Sequence, residues 1–300
     1  MSTTESEGER RFRFGANWKR FLRSLTPERL ATAEESLRDA LGVEDLEGMR
    51  FLDIGCGSGL FSLSAARLGA TVHSFDYDRD SVECALDLRE RFAPEAQWTI
   101  ERGDALDRDY LGGLGSFDVV YSWGVLHHTG DLWSALDNAT IPLEPEGLLF
   151  IALYHHMGWQ TTAWRWVKKT YCRGRLGQAL VLSTFVPGMV AYGALADALT
   201  RPFTNPLRRY RDYKDQERGM TVLWDWVDWL GGYPYQAATP AQVARFFQAR
   251  GLGLYGCTLT DSSMGNNEFL FSADPEAHHQ ARERPWKGWR PSASEPIPPG

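Results

Sequence analysis

The sequence predicts an α/β fold, in which helices cover both faces of a doubly wound parallel sheet. From Met49 to Tyr154, short apolar runs alternate with amphipathic helical runs. The first apolar run ends in a glycine-rich turn that leads into a helix. The pair Thr239-Pro240 then opens another helix, which two further apolar runs follow. This alternation is typical of a Rossmann-like sheet, whose ligands bind beyond the carboxyl ends of the strands.

The predicted elements follow one another in a regular order. Strands are predicted over Arg50–Ile54, Thr71–Phe75, Trp98–Glu101, Phe117–Ser122, Leu148–Tyr154, Leu252–Leu259 and Asn267–Ser272. Helices are predicted over Leu60–Leu68, Arg79–Phe92, Asp131–Ala139 and Ala241–Arg250. The strands are short and apolar, whereas the helices carry apolar residues at helical spacing.

A helical arm is expected before this core. Thr26 and Pro27 form a cap followed by a first-turn proline, and Gly42 is placed to end the helix. Upstream, Trp18 and Phe21 are too apolar to be left in water. We expect these rings to close over a ligand or to reach a neighbouring subunit, so that a homo-oligomer forms through the arm, the inserted lid described next, or both.

The chain divides into six predicted segments. We expect residues 1–11 to be disordered, 12–48 to form the arm, 49–154 the core, 155–236 a helical lid over the strand ends, 237–273 the completion of the core, and 274–300 a flexible tail. Within the lid, Leu176–Leu199 is mostly apolar. Because Pro187 and polar residues interrupt it, we expect a buried or interface helix pair broken at Pro187 and no membrane span.

Composition excludes several classes of function. The net charge of −7 argues against a nucleic-acid partner, which needs a basic face. The four cysteines lack metal-ligand spacing and read as reduced thiols. The polar N-terminus does not resemble a signal peptide. We therefore expect a cytoplasmic protein with no metal.

The turn Asp53-Ile54-Gly55-Cys56-Gly57-Ser58-Gly59 predicts the ligand. Its alternating glycines let the backbone approach a ligand at positive φ. They do not fit the dinucleotide fingerprint, which needs glycines at the first, third and sixth places. Asp53 would repel a pyrophosphate but suits a cation, and Asp76 ends the next strand, where it can accept ribose hydroxyls. A positively charged, phosphate-free adenosine is expected, and S-adenosylmethionine (SAM) fits.

These residues resemble the class I SAM-dependent methyltransferases over about residues 12 to 273. The resemblance implies a seven-stranded sheet with its last strand antiparallel, and S-adenosylhomocysteine as product. The stretch Ser122-Trp123-Gly124-Val125-Leu126-His127-His128 is similar to a segment that lines the methyl-transfer point in the small-molecule branch. The implied cofactor-binding residues are Asp53, Gly55, Cys56, Gly57, Gly59, Asp76, Tyr77, Asp104, Ala105, Ser122, Trp123 and His127.

A narrower resemblance concerns the lid. Phe14-Gly15-Ala16-Asn17-Trp18 and Asn267-Glu268-Phe269 are similar to segments of a bacterial subgroup with such a lid. Where that subgroup carries Tyr-Asn-Asp-Gln-Gly, this chain has Tyr154-His155-His156-Met157-Gly158, which indicates a specialised substrate. In kind, the chain resembles the terpenoid C-methyltransferase of teleocidin biosynthesis.

The candidate catalytic residues lie after two strands. Methyl transfer is an in-line displacement, so alignment of the reactants supplies much of the acceleration, and a base is needed only where the nucleophile must lose a proton. The candidates are His127, His155, His156 and Tyr154. The candidate substrate-binding residues are Trp18, Phe21, Trp123, Tyr154, His155, Trp159, Trp229 and Tyr233.

Three functional hypotheses follow. The first is methylation at carbon of a prenyl or terpenoid group, such as a prenylated indole, in secondary metabolism. Aromatic rings would stabilise the carbocation, by about 2 kcal/mol each, and direct cyclisation. The second is O- or N-methylation of an aromatic or quinone-like acceptor. The third is a SAM-binding protein without catalysis.

Overall fold

A computed structural model describes residues 12, 14, 15, 18, 22, 25–200, 229–260 and 265–274, with side chains described up to residue 195 in the long lid helix. The expectations for residues 1–11 and for Phe21 lie outside the described residues, as does nearly all of the predicted tail.

The core is a mixed sheet of seven strands in the order β3-β2-β1-β4-β5-β7-β6. The first five strands pair in parallel, and β7 is antiparallel to both β5 and β6. The predicted class I methyltransferase sheet is therefore confirmed. The strands are β1 Arg50–Ile54, β2 Thr71–Asp76, β3 Trp98–Arg102, β4 Phe117–Trp123, β5 Leu143–Tyr154, β6 Gly253–Thr258 and β7 Asn266–Ser272.

The helices of the described residues match the predicted ones, with one addition. They are α1 Pro27–Leu41, α2 Leu60–Arg67, α3 Arg79–Phe92, α4 Arg108–Gly113, α5 Leu132–Asn138, α6 Trp159–Tyr171, α7 Arg175–Thr200 and α8 Pro240–Gln248. Sequence patterns missed α4, which is too short to show a period. Asp107 caps it by accepting a 3.0 Å hydrogen bond from the Tyr110 amide.

The helices bury two apolar faces of the sheet. On one face α1, α2 and α3 pack against residues such as Phe51, Val119 and Phe150. On the other, α5 and α8 pack against residues such as Ile54 and Phe269. The caps of α1 are as predicted: the Thr26 side chain accepts from the Arg29 amide, and Gly42 ends the helix at a φ of 73°. Two covered faces leave the carboxyl ends of the strands as the place for a ligand.

The apolar helix of the lid differs from its prediction in continuity and in burial. The apolar stretch is one continuous helix, α7, with Pro187 inside it, so the predicted break was wrong. Pro187 removes the amide partner of the Ser183 carbonyl. Both residues lie on the exposed face of the helix, where water can solvate that carbonyl. Of the two predicted alternatives, a buried helix is wrong, because only 11% of the Arg175–Leu195 stretch is buried, and an interface helix stays a prediction.

Candidate functional site

The glycine turn lies at the carboxyl end of β1, beside the end of β2. The amides of Gly55 and Cys56 both donate to the Phe75 carbonyl, at 2.8 and 3.0 Å. Gly55 has a φ of 77°, and a Cβ there would lie 2.3 Å from a methyl carbon of Val125. Glycine is therefore required here both by the backbone conformation and by the close approach of the segment that follows β4.

Asp76 ties the turn to the end of β2. Its two carboxylate oxygens accept hydrogen bonds from the amides of Gly57, at 2.9 Å, and Asp78, at 2.8 Å. Burial raises the pKa of the Asp76 carboxyl to about 6, because burial penalises the charged form. The residue stands where the sequence predicted an acid for a ribose, beside the turn.

Asp53 lies beneath the turn. Its carboxylate is buried and accepts a 2.5 Å hydrogen bond from the hydroxyl of Ser62 in α2. Burial raises the pKa of Asp53 to about 7. Among the described residues, neither Asp53 nor Asp76 forms an ion pair with a Lys or Arg. The turn thus carries one buried and one partly buried carboxyl, whose charge a cationic ligand would offset.

The other predicted cofactor residues surround the ends of β2, β3 and β4. Asp104 accepts from the Leu106 amide at 2.9 Å, and the buried Ala105 carbonyl accepts from the Asn138 side chain at 3.1 Å. Tyr77 is exposed, with the Arg102 guanidinium 5.4 Å from its ring centre.

Cys56 and Ser122 lie closer to the turn itself. Burial raises the pKa of the Cys56 thiol well above its ordinary value. Ser122 donates to the Ile54 carbonyl at 3.0 Å, so it joins β4 to the turn.

Trp123 is the last residue of β4, and it contacts Glu268, which was not among the predicted site residues. Its indole donates a 2.8 Å hydrogen bond to the Glu268 carboxylate in β7. Both line a cavity of about 730 Å³ between α1 and the sheet, whose aromatic walls also include Phe61, Tyr121 and Phe150. That volume suits a small-molecule ligand. In the sequence, Glu268 belongs to the motif Asn267-Glu268-Phe269, from which no function was predicted for it.

His127 and Tyr154 come together above β4 and β5. The His127 ring is fully buried, with its centre 4.2 Å from that of Tyr154 and 4.3 Å from that of His128. Among the described residues, neither ring nitrogen of His127 has a hydrogen-bond partner. Burial, followed by His128 and Lys168, lowers the His127 pKa well below its ordinary value. The imidazole is therefore neutral at physiological pH.

His128 stabilises the same cluster. Its Nδ1 lies 2.6 Å from the Pro234 carbonyl oxygen, so this nitrogen carries the proton and donates. Burial and then the nearby Lys168 charge lower the pKa of His128 to about 3. The sequence could not separate these two neighbouring histidines, and only the structure shows that His128 is hydrogen-bonded to the backbone.

Lys168 is a functional candidate that sequence reasoning missed. It lies on α6, is fully buried, and donates to the Trp229 carbonyl. Its ammonium lies 4.7 Å from the Trp229 ring centre, 5.0 Å from that of Tyr235 and 5.6 Å from that of Tyr154. One signal was available: Lys168 is spaced four residues after Trp164, on the inner side of the helix.

His155 and His156 turn toward other partners. The ring of His155 lies 3.0 Å from the Asn267 side-chain amide in β7. The ring of His156 accepts from the Gly158 amide at 3.3 Å. The structure therefore brings together His127 and Tyr154 from the predicted catalytic set, and it engages the other two histidines in hydrogen bonds with Asn267 and Gly158.

The predicted substrate residues also separate into groups. Trp18 approaches the turn, because a Cβ on Gly57 would lie 3.1 Å from its indole. Trp229 packs edge-on against Trp164 at 4.1 Å. Tyr233 is buried, and its carbonyl accepts from the Phe12 amide at 3.0 Å. Trp159 is 76% exposed at the start of α6.

No group of three or more metal-ligating side chains occurs among the described residues. The chemistry available there consists of buried carboxyls at the turn and a neutral imidazole near an ammonium above β4 and β5. Such an arrangement can hold a cation at the turn and accept a proton beside it.

Comparisons with known proteins bear on the family. A family model described as "Methyltransferase domain" matches residues 20–177. The ubiquinone biosynthesis O-methyltransferase of Brucella ovis is 33% identical over 158 residues, which are 49% of this chain and 62% of that protein. The protein of that name from Parvibaculum lavamentivorans is 33% identical over 142 residues, 44% of this chain and 52% of that one. The chain thus spans less than two thirds of these relatives.

Solved structures resemble the fold. The magnesium protoporphyrin IX methyltransferase of Synechocystis PCC 6803 with bound S-adenosylhomocysteine has a TM-score of 0.51 at 15% identity, covering 86% of this chain and 93% of that one. An O-methyltransferase family protein from Burkholderia thailandensis has a TM-score of 0.51 at 12% identity, covering 89% and 65%. At these identities the likeness concerns the fold alone.

Proposed function

The chain belongs to the methyltransferase-domain family, a SAM-dependent class, and on that premise we propose that it transfers a methyl group from SAM to an oxygen of a hydrophobic aromatic small molecule. His127 carries this proposal, since it is a fully buried, neutral imidazole with no hydrogen-bond partner among the described residues. The acceptor's hydroxyl group is the partner that the site lacks.

SAM fits the residues at the turn. It supplies the methyl group as a sulfonium, and its positive charge offsets the carboxyls of Asp53 and Asp76, whose pKa values burial raises. The turn has no Cβ at Gly55 or Gly57, so the backbone there can approach the ligand closely. In the proposed complex Asp76 accepts from the ribose and Asp104 from the adenine edge, the roles that the family resemblance implies.

SAM binding should weaken as the pH falls through about 7 and then about 6, where Asp53 and Asp76 gain protons in the unliganded protein. A cation favours the ionised carboxyls, so binding has to release those protons. The Kd should rise by up to about tenfold per pH unit for each protonated group. Calorimetry in buffers of different ionisation enthalpy would measure both Kd and proton release. A constant Kd with no proton release would contradict this prediction.

His127 acts as the general base in the proposed reaction. The acceptor oxygen attacks the methyl carbon, the carbon–sulfur bond breaks, and the hydroxyl proton passes to a ring nitrogen of His127. An unpaired polar group in the interior costs about 1–3 kcal/mol, which a bound hydroxyl would recover. The ammonium of Lys168 lies near the same cluster, where it stabilises negative charge developing on the acceptor oxygen.

Replacing Lys168 with methionine should move the acidic limb of the kcat–pH profile to higher pH. The ammonium contributes to the low pKa of His127, so its removal raises that pKa and protonates the base sooner. Lys168→Arg keeps the positive charge and serves as the control, with its limb close to that of the parent protein. Coincident profiles for all three proteins would show that Lys168 has no electrostatic role.

Carbon methylation of a terpenoid group is the second candidate, and the aromatic rings favour it. Ring faces stabilise cations, and the lid supplies several of them. However, the rings of Tyr154, Trp229 and Tyr235 already surround the ammonium of Lys168. A carbocation beside that ammonium would be repelled. The relatives' names refer to O-methylation, which also supports oxygen as the nucleophile.

The acceptor assay separates these functions. The protein is incubated with SAM and, in parallel, a catechol, a hydroquinone, an aryl amine and a prenylated indole. We expect S-adenosylhomocysteine and a product heavier by one CH₂ with the phenols. Turnover of the indole alone would replace this proposal with carbon methylation. SAM binding without turnover of any acceptor would favour a non-catalytic role.

A further inference from the structure

The outer face of α7 is apolar and exposed. Leu176, Leu180 and Val190 lie on it, with exposed fractions of 89%, 60% and 40%. Residues 176–196 contain no charged side chain. The exposed side of a helix in a water-soluble domain normally carries charged residues. This face therefore matches a nonaqueous environment better than it matches water.

Two exposed tryptophans lie on α6, the helix that precedes α7. Trp159 and Trp166 are exposed at 76% and 62% and stand seven residues apart, which places them on one side of the helix. Tryptophan rings are enriched where hydrocarbon meets water in a bilayer, because the ring is apolar and its N–H is polar. We call the exposed face of α7 that Leu176, Leu180 and Val190 form the lid surface.

The charge around the lid surface has the opposite sign to that of the whole chain. Residues 155–196 contain five Lys or Arg and no Asp or Glu, and all five but the buried Lys168 are at least partly exposed, whereas the chain as a whole has a net charge of −7. Arg173 and Arg175, which are both exposed, directly precede the apolar stretch. Apolar stretches flanked by basic residues bind anionic lipid surfaces, each basic side chain adding to the attraction.

The inner face of α7 packs against the protein, and this limits the orientations that the helix can take in a bilayer. Val181 is buried, and Phe185 packs against Trp164 of α6 at 5.5 Å. Arg175–Leu195 is the one helix among the described residues that is long and apolar enough to cross a membrane. Because one side of it packs against the protein, lipid cannot surround it, so the geometry favours a helix lying in the membrane surface.

We propose that the lid surface docks the protein on a bilayer that contains anionic phospholipid, with α7 in the interfacial plane. A second copy of the chain is a poorer occupant, since two basic surfaces would face each other. Nucleic acid is also a poorer one, since the apolar residues offer nothing to phosphates. Docking does not depend on the identity of the methyl acceptor.

Vesicle flotation with the full-length protein tests this proposal. Phosphatidylcholine vesicles are compared with vesicles in which part of that lipid is replaced by phosphatidylglycerol. We expect binding to the anionic vesicles at least about tenfold tighter than to the neutral ones, and weakened by salt. The double variant Leu176→Glu, Leu180→Glu should lose binding, because it places two carboxylates against anionic lipid. Leu86→Glu, at an exposed leucine of α3, is the matched control and should bind like the parent.

The variants also show whether a loss of vesicle binding comes from a lost lipid contact or from misfolding. Leu176 and Leu180 are exposed, so the double variant should keep the parent's melting temperature and its Kd for SAM. Equal binding to both kinds of vesicle, or undiminished binding of the double variant, would overturn the proposal. Loss of a dimer in the double variant, with no vesicle binding by the parent, would assign the surface to a second copy. Retention on duplex DNA without vesicle binding would assign it to nucleic acid.

Discussion

Replacing His127 with leucine should abolish most of the methyl transfer while leaving the protein at least as stable as the parent. Loss of a positioned general base lowers kcat by roughly 10²–10⁴-fold. The imidazole is fully buried with both nitrogens unpartnered among the described residues, so an apolar side chain removes an unpaired polar group. We therefore expect an unchanged or higher free energy of unfolding by denaturant titration, alongside the lost turnover.

His155→Leu is the matched control, because the sequence predicts both His127 and His155 as candidate catalytic residues. His155 lies beside the Asn267 amide at 3.0 Å, so its loss should cost some stability and little of kcat. The two variants thus move activity and stability in opposite ways. If His127→Leu unfolds at clearly lower denaturant and retains its kcat, the ring is a core element and the base lies elsewhere.

The part of the site nearest the glycine turn could be predicted from the sequence. The turn requires positive φ at Gly55, Gly57 and Gly59, and the structure has it at all three. Local chain geometry determines this feature, so the residue types reveal it. The same is true of the capped start of α1 at Thr26 and of the parallel strand order that brings Asp76 beside the turn.

The part of the site that depends on contacts between distant segments could not be predicted. His127 and His155 each follow a strand, and which of them is left without a partner depends on Asn267, more than a hundred residues later. Lys168 is an ordinary surface residue by composition, yet the aromatic rings of Tyr154, Trp229 and Tyr235 enclose it. Such enclosures form only when α6 folds over the sheet.

The lid illustrates how a correct local rule can give a wrong result. Proline disfavours the helix interior, and that rule predicted a break at Pro187. The rule takes account of the hydrogen bond that proline removes, but it does not consider whether water can solvate the carbonyl that loses its partner. In α7 the carbonyl belongs to the exposed Ser183, and helix continues on both sides. The same exposure makes the apolar face of α7 available to a partner.

Replacing Gly55 with alanine should disable cofactor binding and catalysis together. A Cβ at this position lies 2.3 Å from Val125, and the φ of 77° disfavours any side chain. The backbone term costs about 1–2 kcal/mol and the clash about 1–3 kcal/mol more. Relief requires Val125 to move, and Val125 directly precedes the short turn Leu126–His128 that holds the base. We expect weaker SAM binding by calorimetry and a reduced kcat at saturating SAM.

The variant Gly48→Ala separates the energetic cost of the backbone conformation from the cost of the clash with Val125. Gly48 has a φ of 74°, close to that of Gly55, but no atom lies within 4 Å of a Cβ built there. It should therefore lose only the backbone term of about 1–2 kcal/mol and keep the parent's Kd and kcat. A Gly55→Ala protein that behaves like Gly48→Ala would show that the contact with Val125 yields freely. In that case Val125 could move away from the new side chain without moving His127, and a change in the glycine turn would not affect the base.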